Sequence, residues 1–311
     1  MQNKADTTWF KEAKWGAFFH YLAKDELTAD EWNRQVDAFN VDKLAAQLEE
    51  ARAPYMFITL GQNSGHYCTP NAAYDSFVGI TPSKCSERDL INDLYGALAP
   101  KGIKLMLYLP SGAPDRDPAA MEKLKWKNNA GRLSEFQTMW EAVIREWSVR
   151  YGKKIGGWWI DGCYFADKMY NHPEAPNFKS FSQALKAGNE ESLVAFNPGV
   201  MIPVESMTEY EDFTAGEISE NFPLGNWYTD DGSLKFVDNP ENNVLLQILT
   251  FTGKKWGSPE LRFPDELVIG YTKFINNIGG VVTWDANIQT GGTVHPDALR
   301  QLIALGKAIE R

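Results

Sequence analysis

Gly156-Gly157-Trp158-Trp159-Ile160-Asp161-Gly162-Cys163 is the stretch that decides the fold. Three bulky apolar residues in succession read as a strand buried on both faces, the signature of a parallel sheet covered by helices. An acid then stands where that strand must open into a loop, with a glycine behind it to turn the chain. Working outward, apolar runs of the same kind recur at 15–22, 55–62, 104–112, 192–199, 212–219, 243–253 and 280–288. Amphipathic helical patterns at 41–53, 88–102, 132–152, 178–189, 264–279 and 296–310 follow most of them, with Gly102 as a helix stop. Runs 192–199 and 212–219 have almost nothing between them, and 243–253 also fits a helix. Strands alternating with helices pair in parallel, and eight of them predict a closed (β/α)8 TIM-type barrel. No G-x-G-x-x-G follows the first strand, so an open dinucleotide-binding sheet is not expected. With no repeat or linker along its 311 residues, the chain reads as one catalytic barrel domain, 1–311.

Composition narrows the function. A net charge of −10, with 31 basic residues scattered along the chain, argues against a nucleic-acid partner. No apolar run approaches the roughly 20 residues of a membrane span, so no membrane partner is expected. Cys68, Cys85 and Cys163 lack metal-type spacing and cannot all pair. Four histidines without H-E-x-x-H or H-x-H spacing predict no metal, and nothing calls for a cofactor. The polar start MQNKADTTWF reads as a cytoplasmic beginning, or as a trimmed mature end behind an added Met, which would favour the periplasm or secretion. Oligomeric state is not legible.

Barrel enzymes gather their chemistry at the C-terminal ends of the strands. The polar residues there are His20, Gln62 and Asn63, Tyr108, Asp161 and the cluster from Asp212 to Glu217. Asp161, flanked by indoles that suit the apolar faces of sugar rings, is the leading candidate, against an alternative in which it only caps a turn. Cleaving a glycosidic bond takes two carboxyl groups, about 5–5.5 Å apart for retention and about 6.5–9.5 Å for inversion. Glu217 is the second candidate among rivals Glu205, Glu209, Glu211 and Glu220. Asp285, ending the last strand, is a third acid. His66 lies in the loop after the second strand, and Trp32 and Trp256 stand in loops near the mouth, each a sugar platform or a piece of loop packing.

The residues from Trp9 onward resemble glycoside hydrolase family 29, the α-L-fucosidases. WFKEAKWGAFFHYL is similar to that family's W-x-x-x-K-F-G-x-F-x-H-W-G, which implies a glycone-binding role for His20. DEW aligns Trp32 with a loop tryptophan. WWIDG resembles W-F-D-G, implying Asp161 as nucleophile with Trp159 beside it, and DFTAGE resembles a D-F-x-T-x-E pattern whose Glu, here Glu217, serves as acid/base. This chain departs where the family reads K-H-H-D-G-F, having Gly61-Gln62-Asn63-Ser64-Gly65-His66 instead. Asn197 in AFNPGV stands where an arginine is usual, and the family's C-terminal β-sandwich is not present. Gln and Asn each offer a donor and an acceptor, so they still read hydroxyls, in a differently shaped pocket.

The expectation is a retaining exo-glycosidase acting on a terminal fucose or related sugar of an oligosaccharide or glycoconjugate. Asp161 and Glu217 are its catalytic pair, and His20, Trp32, Gln62, Asn63, His66, Tyr108, Trp159, Asn197, Trp256 and Asp285 its substrate contacts. The rivals are a non-catalytic sugar-binding barrel and a glycosidase for another glycone that uses Asp285.

Overall fold

The computed structural model describes residues 4–127, 131–164, 169–224, 231–232 and 244–309. Seven strands, β1 (Trp15–Phe19), β2 (Tyr55–Thr59), β3 (Lys104–Pro110), β4 (Ile155–Asp161), β5 (Leu193–Phe196), β6 (Gln247–Phe251) and β7 (Val281–Asp285), form one sheet. All pairings are parallel, in the order β5-β4-β3-β2-β1-β7-β6, and the sheet curls into a half-barrel. The ambiguous 243–253 run is resolved as strand β6 over its described part.

Side chains alternate along each strand, so each strand feeds two cores. Trp15, Met56, Ile58, Leu105, Leu107, Trp158, Ile160 and Phe196 point outward into the layer shared with the helices. Phe18, Tyr55, Phe57, Met106, Tyr108, Trp159, Leu193 and Ala195 point inward and fill the concave side. Burying each such aromatic or aliphatic side chain is worth roughly 1.5–3 kcal/mol. Residues two places beyond an inward-facing one face inward again. His20, Asp161, Asn197 and Asp285 therefore arrive at the same end of the concave face by the period-2 rule alone.

The outer layer includes helices at Val41–Glu50, Leu90–Leu98, Ser134–Tyr151, Phe178–Leu185, Asp265–Asn277 and Pro296–Ala308, close to the predicted spans. Four short helices were not foreseen, at Thr8–Ala13, Ala29–Asp37, Ala72–Val78 and Pro118–Lys123. The first closes the far end of the sheet: Phe10 is buried and meets Tyr55 and Phe213 edge-on. The second begins at a capping box between Thr28 and Glu31.

The expected sixth strand at 212–219 is not a strand. It is an irregular segment lying between the two edges of the sheet, with single pairings of Phe213 to Leu245 and Glu217 to Leu249. The reason lies in its acids. The edge amides of Val194 and Phe196 donate to the side chains of Asp212 and Glu211, taking the place of backbone carbonyls, so no regular ladder with β5 forms. Only Asp212 N donates back, to Val194 O at 2.8 Å. Gly216, at φ +60°, passes so close to β6 that a Cβ would lie 1.7 Å from Gln247 O. Lys186 pairs with Asp212 at 2.7 Å, and Ala5 N donates to the same carboxylate.

Candidate active site

At the C-terminal end of the sheet lies a cavity of about 380 Å³, within the range of small-ligand sites. Phe18, Tyr108, Trp159, Trp256, Leu22 and Leu249 supply apolar walls, and His20, Gln62, Asp161, Glu217 and Tyr164 supply the polar groups. Trp159 and Tyr108, neighbours across the β3–β4 register, stack at 5.5 Å and 18°.

Asp161 ends β4 and receives only donors. Gly162 N and Asn197 Nδ2 both donate to Oδ1 at 2.8 Å, and Tyr108 Oη donates to Oδ2 at 2.6 Å. Gly162 sits at φ +79°, which lets the chain turn back so that its amide reaches the preceding side chain. Gln62 Nε2 in turn donates to Tyr108 Oη, fixing which way that hydroxyl points.

Glu217 comes from the irregular segment, two residues beyond Ala215. The indole Nε1 of Trp159 donates to Ala215 O at 2.9 Å, tying this segment to β4 across the cavity floor. Asn197 Nδ2 donates to Glu217 Oε2 at 2.6 Å as well as to Asp161. One amide nitrogen thus bridges the two carboxyl groups, whose bridged oxygens lie at most 5.4 Å apart, the sum of its two bond lengths. Burial pushes the Glu217 carboxyl above the ordinary range and the charge of Asp161 pushes the same way, against the Asn197 hydrogen bond and the proximity of His20.

His20 Nδ1 meets Asp285 Oδ1 at 2.8 Å. Burial disfavours its charged form, but Asp285, with help from Asp161 and Glu217, outweighs that and raises the imidazole above its usual value. Asp285 is itself buried, and its other oxygen accepts from Gly257 N at 2.6 Å. Both oxygens are occupied and neither lines the cavity, so Asp285 holds His20 and the Trp256 loop and does not face a substrate as a third acid.

Three further residues expected near substrate stand away from the cavity wall. Trp32 is 1% exposed, donates to Tyr67 O and packs on Tyr21, which makes it core of the first loop and not a sugar platform. Asn63 presents its carbonyl to Arg116 N. His66 is buried against Trp32, with burial and Lys84 depressing its pKa to about 4. Asn197 touches the carboxyl groups and is not part of the cavity wall. Among Glu217's rivals, Glu211 is fully buried, accepting from Phe196, Met207 and Thr208 amides, while Glu205, Glu209 and Glu220 are exposed. Sequence reasoning missed Phe18, Leu22, Tyr164 and Leu249. Tyr164, three residues after Asp161, was within reach of a search along the same loop. Among the described residues no group of three or more His, Cys, Asp or Glu is arranged to hold a metal ion.

No family model matches this chain, and no curated protein matches it either. Solved structures do. An endo-fucoidan hydrolase of glycoside hydrolase family 107 superposes with a TM-score of 0.72 over 94% of this chain and 52% of its own, at 17% identity. An α-L-fucosidase of family 29 from Bacteroides thetaiotaomicron, trapped as a covalent intermediate, gives 0.64 over 99% and 76% at 15% identity. The α-L-fucosidase of Lactobacillus casei, bound to its α-L-fucose product, gives 0.63 over 97% of both chains at 16% identity. This chain spans about half the length of the first of these. At such identities the likeness is one of fold.

Proposed function

We propose that this chain is a retaining exo-glycosidase of the α-L-fucosidase type, a single closed (β/α)8 domain in which the 212–218 segment completes the ring. Its substrate is a terminal fucose or related sugar on an oligosaccharide or glycoconjugate. The observation that carries this reading is the Asn197 bridge, which keeps one oxygen of Asp161 and one of Glu217 no more than 5.4 Å apart and so supports the roughly 5–5.5 Å spacing of retaining enzymes. The similarity to folds solved with a covalent intermediate and with fucose supports it.

In the first step Asp161 attacks the anomeric carbon as Glu217 gives its proton to the departing oxygen. Burial and the Asp161 charge favour the protonated acid before attack. Forming the ester removes that charge, so the Glu217 pKa falls at the moment when Glu217 must become a base and take a proton from water. The same residue thereby serves both half-reactions. His20 and Gln62 are placed to read glycone hydroxyls, and Trp159 and Trp256 to cover apolar ring faces.

The test is release of 4-nitrophenol from α-L-fucoside, α-L-galactoside, β-D-galactoside and α-L-rhamnoside by wild type, Asp161→Asn and Glu217→Ala. Turnover of one glycoside is expected, lost in Asp161→Asn and partly restored to Glu217→Ala by azide. Turnover that survives Asp161→Asn, or azide rescue of Asp285→Ala in place of Glu217→Ala, refutes the assignment.

A further inference from the structure

Among the described residues seven large apolar side chains are exposed, and four of them belong to the two loops that follow Asp161 and Asn197. Tyr164 is 57% exposed and lines the cavity. Its ring lies over Gly199, where a Cβ would come within 3.1 Å of it. Val200, Met201 and Ile202 follow directly, at 50%, 40% and 46% exposure. Three consecutive apolar residues facing water are a liability unless something uses them. The loop that presents them starts at Asn197, whose side chain bridges the two carboxyl groups and whose Oδ1 accepts from Gly199 N at 3.0 Å. The patch is therefore joined to the carboxyl pair through Asn197.

Among the described residues no lysine or arginine lines the cavity, and none stands in the loop from Asn197 to Val204. Among the described residues there, the basic side chain is His20, and it is already paired with Asp285. Within the reading of this cavity as a glycosidase site, on which this inference rests, we infer that Tyr164, Val200, Met201 and Ile202 form a leaving-group subsite for an uncharged, apolar aglycone such as an alkyl or aryl chain. Continuity with the cavity favours this occupant over a second copy of the chain, because Tyr164 lines the cavity and its ring lies on Gly199, which leads directly into Val200, Met201 and Ile202.

The experiment compares octyl and methyl α-L-fucoside, by kcat/KM with wild type and by calorimetric titration with Asp161→Asn. Each measurement is repeated with Met201→Ser and Ile202→Ser combined, exposed positions whose replacement leaves the core intact. The octyl compound is expected to be favoured at least about tenfold, which burial of roughly two methylene groups supplies, and the serine pair is expected to bring the ratio to within about twofold of unity. A ratio near one in wild type, a ratio unmoved by the serine pair, or binding of neither compound overturns the subsite. So does a wild-type dimer, seen by light scattering, that the serine pair makes monomeric without changing the ratio. If wild type turns over neither glycoside while the titration still shows the octyl preference and its loss, the subsite stands and the hydrolase reading fails.

Discussion

Replacing Asn197 with alanine probes the arrangement most directly, because one nitrogen serves both carboxyl groups. Its bonds, 2.8 Å to Asp161 and 2.6 Å to Glu217, are made to acidic groups in a half-buried setting. Hydrogen bonds to charged groups are worth about 1.5–3 kcal/mol each, and the two are not additive because they share a donor. On the proposed mechanism a loss of about 3 kcal/mol of transition-state stabilisation follows, roughly a hundredfold in kcat/KM. The pH profile carries a second signature. The Asn197 bond lowers the Glu217 pKa against burial and Asp161. Its loss raises that pKa, so the alkaline limb of the kcat/KM profile, where the acid form of Glu217 disappears, moves to higher pH while the plateau drops. Asn197→Asp keeps an acceptor for Gly199 N but adds a third carboxyl group, and should be worse than alanine on the plateau with the limb moved further. The assay is 4-nitrophenol release from the accepted glycoside between pH 4 and 10, with a melting curve for each variant. A plateau within about threefold of wild type, or an alkaline limb that moves down, refutes the bridging role.

The His20–Asp285 pair gives a stability test: its raised imidazole pKa means the pair's contribution is fully present below the ordinary histidine value and disappears as pH rises through the folded-state value. Asp285→Asn should therefore lower the melting temperature more at pH 5.5 than at pH 9, and NMR titration should place the His20 pKa below that of wild type; an equal loss at both pH values counts against it. Trp32→Ala should cost roughly 3–5 kcal/mol in a denaturant titration and leave KM unchanged, because its indole is buried away from the cavity; a selective rise in KM would return it to the substrate. Asp212→Ala strands Lys186, 12% exposed, and the amides of Ala5 and Val194, and should cost about 3–5 kcal/mol in chemical denaturation. Adding Lys186→Met should recover part of that loss, and strict additivity of the two changes would show that the pair is not coupled.

Most of the fold was legible because strands and helices announce themselves locally, through apolar periods of two and of 3.6 residues. Asp161 was legible for the same reason: an acid directly after Trp158-Trp159-Ile160 must leave the buried strand at its C-terminal end. The parity of each strand also carried His20, Tyr108 and Asp285 to the mouth of the sheet without any knowledge of their partners.

What lay beyond the sequence depends on contacts between residues far apart in the chain. DFTAGEIS alternates as a strand should, yet it is not one: Glu211 and Asp212 occupy the edge amides of β5, and the Thr214 hydroxyl takes up the amide and carbonyl of Gln247 on the β6 side. Trp32 reads as a mouth residue until the carbonyl of Tyr67, 35 positions away, captures its indole. Asp285 and Glu217 are both inward-facing acids, and only the packing of His20 and Gly257 against one and Asn197 against the other separates their roles. Sequence by itself determined which residues face inward and which end of the sheet they reach, since backbone geometry sets that within a few residues. Tertiary structure alone decided which carboxyl groups share a donor, because a hydrogen bond between strands is fixed by the register and curl of the whole sheet.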